Sequence, residues 1–289
     1  MASTQVLKTR IRSVKNTKQI TKAMQLVAAS KMRRAQDATK ATAPYTEAAR
    51  ELLQNLAKLN SVTRHPLFKT RPIGSRLLIV IASDKGLAGA YNSNILKSYI
   101  EELKRDDSAK VKNLTIAVGR KAAQFVARLK DTTVLGVYEE LPDRPDADEL
   151  RAILDSARNA FIAGRVDAVD VIYTEFISSL NQKTKVLRVL PAGFNAVELT
   201  GITEEVTYEP STDEVLDGVA SRLVSAQIFQ ALLDARASEH SMRMIAMKNA
   251  TDNASDLVDD LTLEMNKARQ GAITQELAEI SGGVEALNE

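Results

Sequence analysis

Steps of three and four residues taken alternately from Leu216 land on Val219, Leu223, Ala226, Gln230, Leu233, Ala237, His240, Met244, Met247, Thr251, Ala254, Val258, Leu261, Met265, Ala268 and Ala272. Of these only Gln230, His240 and Thr251 are not apolar. A 3.5-residue repeat held for so long is the signature of a helix wound against a partner. No glycine or proline interrupts Val219 to Gln270, and Ser211 with Glu214 three residues on forms a capping box at the start. At 1.5 Å per residue, a helix from Ser211 to Ser281 spans roughly 100 Å. That is longer than a compact domain of this size, so the helix needs an equally long neighbour.

The opening segment, Ser3 to about Asn60, supplies one. Leu7, Ile11 and Val14 form a helical stripe, and Ile20, Met24 and Val27 continue it after a slip. Tyr45, Ala49, Leu52, Leu56 and Leu59 restore the alternating spacing. Ala28, Ala29, Ala35 and Ala38 provide small side chains where two helices approach closely. Pro44 lacks an N–H and crowds the carbonyl four residues back, so the segment reads as one long bent helix, with two helices joined at Thr42 to Pro44 as the open alternative. Each terminal helix exposes a stripe it cannot bury alone, and antiparallel pairing buries both.

Between them the pattern changes. After a breaker-rich connection from His65-Pro66 to Gly74 comes Leu77 to Ala82, a continuous apolar run of the kind found in strands buried on both faces. Further strands are predicted over Leu114–Val118, Val134–Tyr138 and Val169–Phe176, with helices over Ser93–Arg105, Arg120–Leu129 and Asp146–Ala163. Thr184–Leu190, alternating and closed by Pro191, reads as an antiparallel edge. Strand and helix in alternation define an α/β domain with a mostly parallel sheet. The predicted organisation is therefore a helix over 1–60, an inserted Rossmann-like α/β domain over 71–203 and a second helix over 211–287.

Composition adds less. The chain has 289 residues, a net charge of +2 and no cysteine. This excludes a disulfide scaffold, a thiolate metal site and a cysteine nucleophile. No run approaches the length of a membrane span, and the N-terminus lacks the apolar core of a secretory signal. The distribution of charge is more telling. From Met1 to Gln36 the cations are Lys8, Arg10, Arg12, Lys15, Lys18, Lys22, Lys31, Arg33 and Arg34, with no acid among them. Such a helix can meet nucleic acid or anionic lipid, serve as a transit peptide, or face an acidic protein. The transit reading conflicts with the stripe that the C-terminal helix needs, and nucleic-acid binding usually comes with aromatic or motif support that is not visible here.

Three features invite a chemical reading. Ser83 to Asn92 follows the first strand, where an open α/β sheet places a phosphate loop. It carries only Gly86-x-x-Gly89 with Lys85 before it, neither a Walker A loop nor a dinucleotide fingerprint, and reads as a tight strand-to-helix turn or a partner contact. His65 and His240 are the only histidines. Without cysteine or spaced carboxylates they make no metal site, and His240 reads as a polar interruption that fixes helix register. Glu139/Glu140, Glu204/Glu205 and Asp259/Asp260 are adjacent acids that point about 100° apart on a helix, so catalysis by this chain alone is not expected.

Three stretches resemble one family. Arg12-Ser-Val-Lys-Asn-Thr-Lys-Gln-Ile-Thr-Lys-Ala-Met-Gln-Leu-Val-Ala-Ala-Ser-Lys-Met-Arg-Arg-Ala-Gln36 is similar to the opening helix of the gamma subunit of bacterial F-type ATP synthase. Ser83 to Asn92 is similar to its S-D-R-G-L-C-G-x-[FY]-N segment, and Ala268 to Ile280 to its C-terminal signature. Lys85 stands where arginine is usual, Ala88 where cysteine is common, and Gly282-Gly283-Val284 where Gly-Ala is more frequent. The cysteine insertion of the chloroplast relatives is missing, so thiol control is not expected.

The resemblance implies a non-catalytic central stalk, or rotor, that carries torque between the c ring and the catalytic ring during proton-coupled ATP synthesis. Its implied partners are three alpha and three beta subunits, the epsilon subunit and the c ring, with no cofactor and no nucleic acid. Any membrane association runs through these partners, at the cytoplasmic face of the bacterial cell membrane. It further implies a beta-subunit catch at Arg269 and Gln270, and an apolar bearing tip at Ile273, Leu277 and Ile280. The basic helix at Lys18, Lys22, Met24, Lys31, Arg33 and Arg34 would face the beta lever, and Tyr208, Glu209 and Pro210 would form a foot contact with the c ring and epsilon. A coiled-coil adaptor whose basic helix binds nucleic acid or anionic membrane, and a small α/β enzyme using the Gly86/Gly89 turn, are the alternatives.

Overall fold

The computed structural model describes residues 4–57, 65–130, 132–142, 147–192 and 212–287. Helix α1 runs Thr4–Ala57 and helix α5 Thr212–Leu287. Between them lie a 3₁₀ turn at Pro66–Phe68, strands β1 (Ser75–Ile81), β2 (Lys112–Val118), β3 (Thr133–Tyr138), β4 (Ala168–Phe176) and β5 (Gln182–Leu190), and helices α2 (Tyr91–Ser108), α3 (Arg120–Val126) and α4 (Ala147–Ile162). Two compact units result, Met1–Ala28 with Met244–Glu289, and Ala29–Arg243.

In the first unit the terminal helices pair antiparallel. Leu7 and Ile11 of α1 are buried with Val258 and Leu261 of α5, and Val14, Met265 and Ala268 border them. Further along, Thr251 donates to Thr21 at 2.8 Å. The predicted seam of α5 appears as drawn at Met247, Thr251, Ala254, Val258 and Leu261, all buried. It stops after Ala268, and Ala272 is exposed.

The expected seam of α1 needs correction. Ile20 is 60% and Val27 57% exposed, and Tyr45 and Leu52 also face outward. The buried and half-buried positions instead step without a slip through Leu7, Ile11, Val14, Thr21, Gln25, Ala28, Met32, Ala35, Thr39, Thr42, Thr46 and Ala49, with exposed Lys18 the one departure. A 4-3 repeat of small and polar residues keeps the register because close helix approach selects for size as well as hydrophobicity. Helix α1 also passes through Pro44 as a single helix. The Thr46 hydroxyl donates to the Thr42 carbonyl within that turn.

In the second unit the sheet order is β3-β2-β1-β4-β5. The first four strands are parallel, and β5 pairs antiparallel with β4, as the alternation of Thr184–Leu190 predicts. Strand β1 is buried on both sides from Arg76 to Ile81, which explains its unbroken apolar run. One face packs with α4 and with Ala220, Leu223, Val224, Ile228 and Leu232 of α5. The other receives Tyr91, Ile95 and Tyr99 of α2 with Ala122 and Val126 of α3.

At the amino end of the sheet a buried charge cluster forms. Arg76 of β1 donates to Asp170 of β4, to Glu102 at 2.8 Å and to Asp106 at 3.1 Å, while Arg188 of β5 grips the same Asp170. Opposed charges joined by several hydrogen bonds make the burial tolerable. Burial raises the Asp106 carboxyl above its ordinary value, against the pull of Arg76. On α1 and α5 of this unit, Thr42 donates to Gln230 at 2.6 Å, and Gln230 donates in turn to Asp234 at 3.1 Å. Gln230, a polar position in the predicted seam, is thus a cross-helix bridge.

Candidate functional site: a closed crevice and a bare helix end

In a parallel sheet of this kind, ligands bind at the carboxyl ends of the strands where the strand order reverses. Here that point lies between β1 and β4. The turn after β1 begins with Ser83, whose N–H donates to the Asn92 side chain at 3.1 Å and whose hydroxyl donates to the Lys85 carbonyl at 2.7 Å. The next residue, Asp84, accepts the backbone N–H of Arg120 and that of Glu140, each at 3.0 Å. One carboxylate thereby ties together the starts or ends of β1, α3 and β3. Burial pushes the Asp84 carboxyl up, but those two N–H groups and Arg236 outweigh it and hold it below the ordinary value.

The crevice itself is filled by α5. Ser238 donates to the Thr174 carbonyl at the end of β4 at 3.1 Å. Arg236 donates to the Leu141 carbonyl at 2.7 Å and approaches Asp84 at 3.4 Å. Arg243, seven residues along the same helix, donates to the carbonyls of Lys85 at 3.0 Å and Gly86 at 3.3 Å. Glu239 between them pairs with both guanidiniums, at 3.1 and 2.9 Å. Burial works against the Arg236 charge, yet Glu239 and Asp84 more than offset it and its pKa stays raised.

Buried His240 lies with Nδ1 3.3 Å from Arg243. Its place on the seam also brings it beside that arginine.

The carbonyls of Lys85 and Gly86 therefore face a guanidinium of the same chain. This agrees with the tight-turn reading of Ser83–Asn92.

The glycine this edge depends on is Gly119 after β2, at φ +89°, where a Cβ would lie 2.2 Å from the Ala82 oxygen. Neither Gly119 nor Asp84, Arg236 or Arg243 is distinguished by sequence spacing. Their partners are up to 158 residues away.

The other feature is the far end of α5. Arg269 and Gln270 are exposed, as is every described side chain from there to Ser281. Ile273, Leu277 and Ile280, spaced four and three apart, are 50, 60 and 64% exposed on one helical stripe. In the same unit Lys18 and Lys22 are exposed, Lys22 donating to Gln25 at 3.3 Å, and Met24 is half-buried. In the other unit Arg33 and Arg34 are exposed and Lys31 is half-buried. Tyr208, Glu209 and Pro210, with the Ser211 cap, lie outside the described residues. No helix among the described residues is long and apolar enough to cross a membrane, and no group of three or more histidine or acidic side chains among them could hold a metal ion.

An antiparallel pair of terminal helices, an α/β domain whose ligand crevice is occupied by the chain's own helix, and an apolar helix end exposed among the described residues define a coiled-coil subunit built to work inside an assembly. A family model described as ATP synthase matches residues 3–287. The chain is 39% identical over 290 residues to the ATP synthase gamma chain of Stenotrophomonas maltophilia (strain R551-3), covering 99% of this chain and 100% of that one. It is equally 39% identical to the gamma chains of Ralstonia nicotianae, over 292 residues, and Macrococcus caseolyticus, over 288, at the same coverage.

Among solved structures, a chain of the Euglena gracilis mitochondrial ATP synthase in rotational state 3 superposes with a TM-score of 0.71 at 18% identity, covering 98% of this chain and 94% of that one. A chain of the central stalk and c ring of the Tetrahymena thermophila mitochondrial enzyme gives 0.57 at 26% identity, covering 80% and 99%. The chain belongs to the ATP synthase gamma-chain family, and is a non-catalytic central-stalk subunit of that synthase.

Proposed function

We propose that this subunit is the rotor of a bacterial F-type synthase, carrying torque between a c ring and a ring of three alpha and three beta subunits, with an epsilon subunit at its foot. The observation that carries the reading is the exposed end of α5, a stripe of Ile273, Leu277 and Ile280 that nothing among the described residues buries. Apolar contact lacks directional hydrogen bonds, so a hydrophobic sleeve around this stripe holds an axis without locking an angle. Arg269 and Gln270, exposed one turn earlier, are suited to the opposite task, because charge-assisted hydrogen bonds to a beta loop favour particular angles.

Lys18, Lys22 and Met24, and on the other unit Lys31, Arg33 and Arg34, present a surface without acids to an acidic lever of beta. Tyr208 and Glu209 are assigned to the c ring and epsilon. The residues 71–203 act as the foot domain, and the helices of 1–60 and 211–287 as the shaft. The membrane is reached through these partners, at the cytoplasmic face.

Affinity purification of the chain from its own cells, followed by subunit identification, tests the reading. Alpha and beta subunits in stoichiometric amounts are expected. Their absence, with retention on DNA that falls steeply with salt, would return the basic helix to the adaptor reading.

A further inference from the structure

The crevice at the carboxyl ends of β1 and β4 is where an α/β domain of this topology holds a ligand. In this chain the same place holds two arginines of α5. They reach the turn after β1, where such a fold places a phosphate loop, and the loop after β3. Both are mostly buried, with side chains 12 and 11% exposed. Four of their contacts end on backbone carbonyls or on a carboxylate that is itself fixed by two backbone N–H groups. None of these acceptors can swing away as a surface side chain does, so the contact resists sliding of α5 across the strand ends. The apolar contacts elsewhere between α5 and the sheet have no such directionality.

We propose that Arg236 and Arg243 are positioning residues for energy coupling: they form the load-bearing joint through which force on the α/β domain reaches α5. The proposal rests on the rotor reading. Asp84 and the Lys85 and Gly86 carbonyls are the sockets, Glu239 keeps both guanidiniums aligned, and His240 supports the second. A joint of this kind needs charge at the helix and fixed acceptors at the turn. Its loss lets the domain yield under load while leaving the catalytic ring untouched.

The test uses inverted membrane vesicles carrying the assembled synthase, with ATP hydrolysis and ATP-driven proton pumping measured on one preparation. Combined Arg236→Met and Arg243→Met is expected to keep hydrolysis within about twofold while the pumping-to-hydrolysis ratio falls about threefold or more. Arg243→Lys in an otherwise natural chain is expected to lie between, because an ammonium still donates to the Lys85 carbonyl. A double variant with the natural ratio overturns the joint, and so does a parallel loss of both activities, which marks a merely structural role.

If the double variant fails to assemble, Asp84→Asn carries the same measurement, with a reduced ratio expected and an unchanged one overturning the proposal. A natural chain that never enters a complex with alpha and beta sinks the rotor reading beneath it, and purification detects that before any pumping is measured.

Discussion

The Thr251 hydroxyl of α5 donates to the Thr21 hydroxyl of α1 at 2.8 Å, and Thr21 donates onward to the Lys18 carbonyl at 3.0 Å. Two hydroxyls thus meet on the seam, at positions where both helices keep the alternating repeat. Thr251→Val keeps the shape and removes the donor. It is expected to cost about 1 kcal/mol, seen as a lower thermal midpoint of the purified chain. Combined with Thr21→Val the two losses should fall short of their sum, because each removes the same contact. Strictly additive losses would show that the bond contributes nothing.

Gly119→Ala places a methyl group 2.2 Å from a backbone oxygen at a positive φ, and neither end of that clash is flexible. A loss of about 3 kcal/mol or more is expected. Gly86→Ala, with nothing within 4 Å, should stay within about 0.5 kcal/mol. Denaturant unfolding of the two variants side by side checks the contrast, and equal losses would refute it.

Asp234 is buried, and its described hydrogen bond comes from the neutral amide of Gln230. Burial raises its carboxyl to about 7, with Glu175 adding to the shift and Gln230 and Lys185 opposing it. A folded-state value above the unfolded one means that the native chain binds the extra proton. The ionised form is therefore a cost above pH 7, and the cost is relieved as the pH falls from 7 towards 4. Asp234→Asn is expected to stabilise the chain at pH 8 by up to about 4 kcal/mol and to change little at pH 4. Thermal midpoints across that range test this, and a variant that tracks the natural chain at every pH would sink it.

Asp170 accepts from Arg76 and Arg188 in the buried cluster. Asp170→Asn takes from Arg188 the carboxylate it grips, while Arg76 keeps Glu102 and Asp106, so a loss of about 3 kcal/mol is expected. Because the cluster is buried, the loss should be nearly the same at low and high salt. A loss that vanishes in molar salt would mean the cluster is wet.

Ile273, Leu277 and Ile280 are exposed among the described residues, so replacing them together by serine breaks no buried packing there. The thermal midpoint of the isolated subunit is expected to move by no more than the equivalent of about 0.5 kcal/mol, while recovery of alpha and beta subunits in co-purification should fall. Destabilisation of the isolated chain would show that the stripe is covered internally.

Much of the fold was legible because helix and strand print different periods on a sequence. The apolar steps of α5 from Met247 to Leu261 and the unbroken run of β1 are consequences of burial geometry that any reader of spacing can recover. The tail and opening motifs likewise pointed to the family before any coordinate did. The path of α1 was legible at Leu7, Ile11, Val14 and its small residues Ala28 and Ala35, but not throughout. Its seam also runs through Thr21, Gln25 and Thr39, while the more hydrophobic Ile20 and Val27 face outward. Distance to a partner helix decides that choice, and hydrophobicity alone cannot report it.

The sequence by itself determined which segments are helix, strand and turn, and that the two ends must pair. The tertiary structure alone decided what the turn after β1 holds and which residues hold it. Asp84 and Lys85 meet Arg236 and Arg243 across some 150 residues of chain. A local pattern carries the physics of local backbone geometry. A charge and its acceptor brought together by the closing of a sheet leave no period to read.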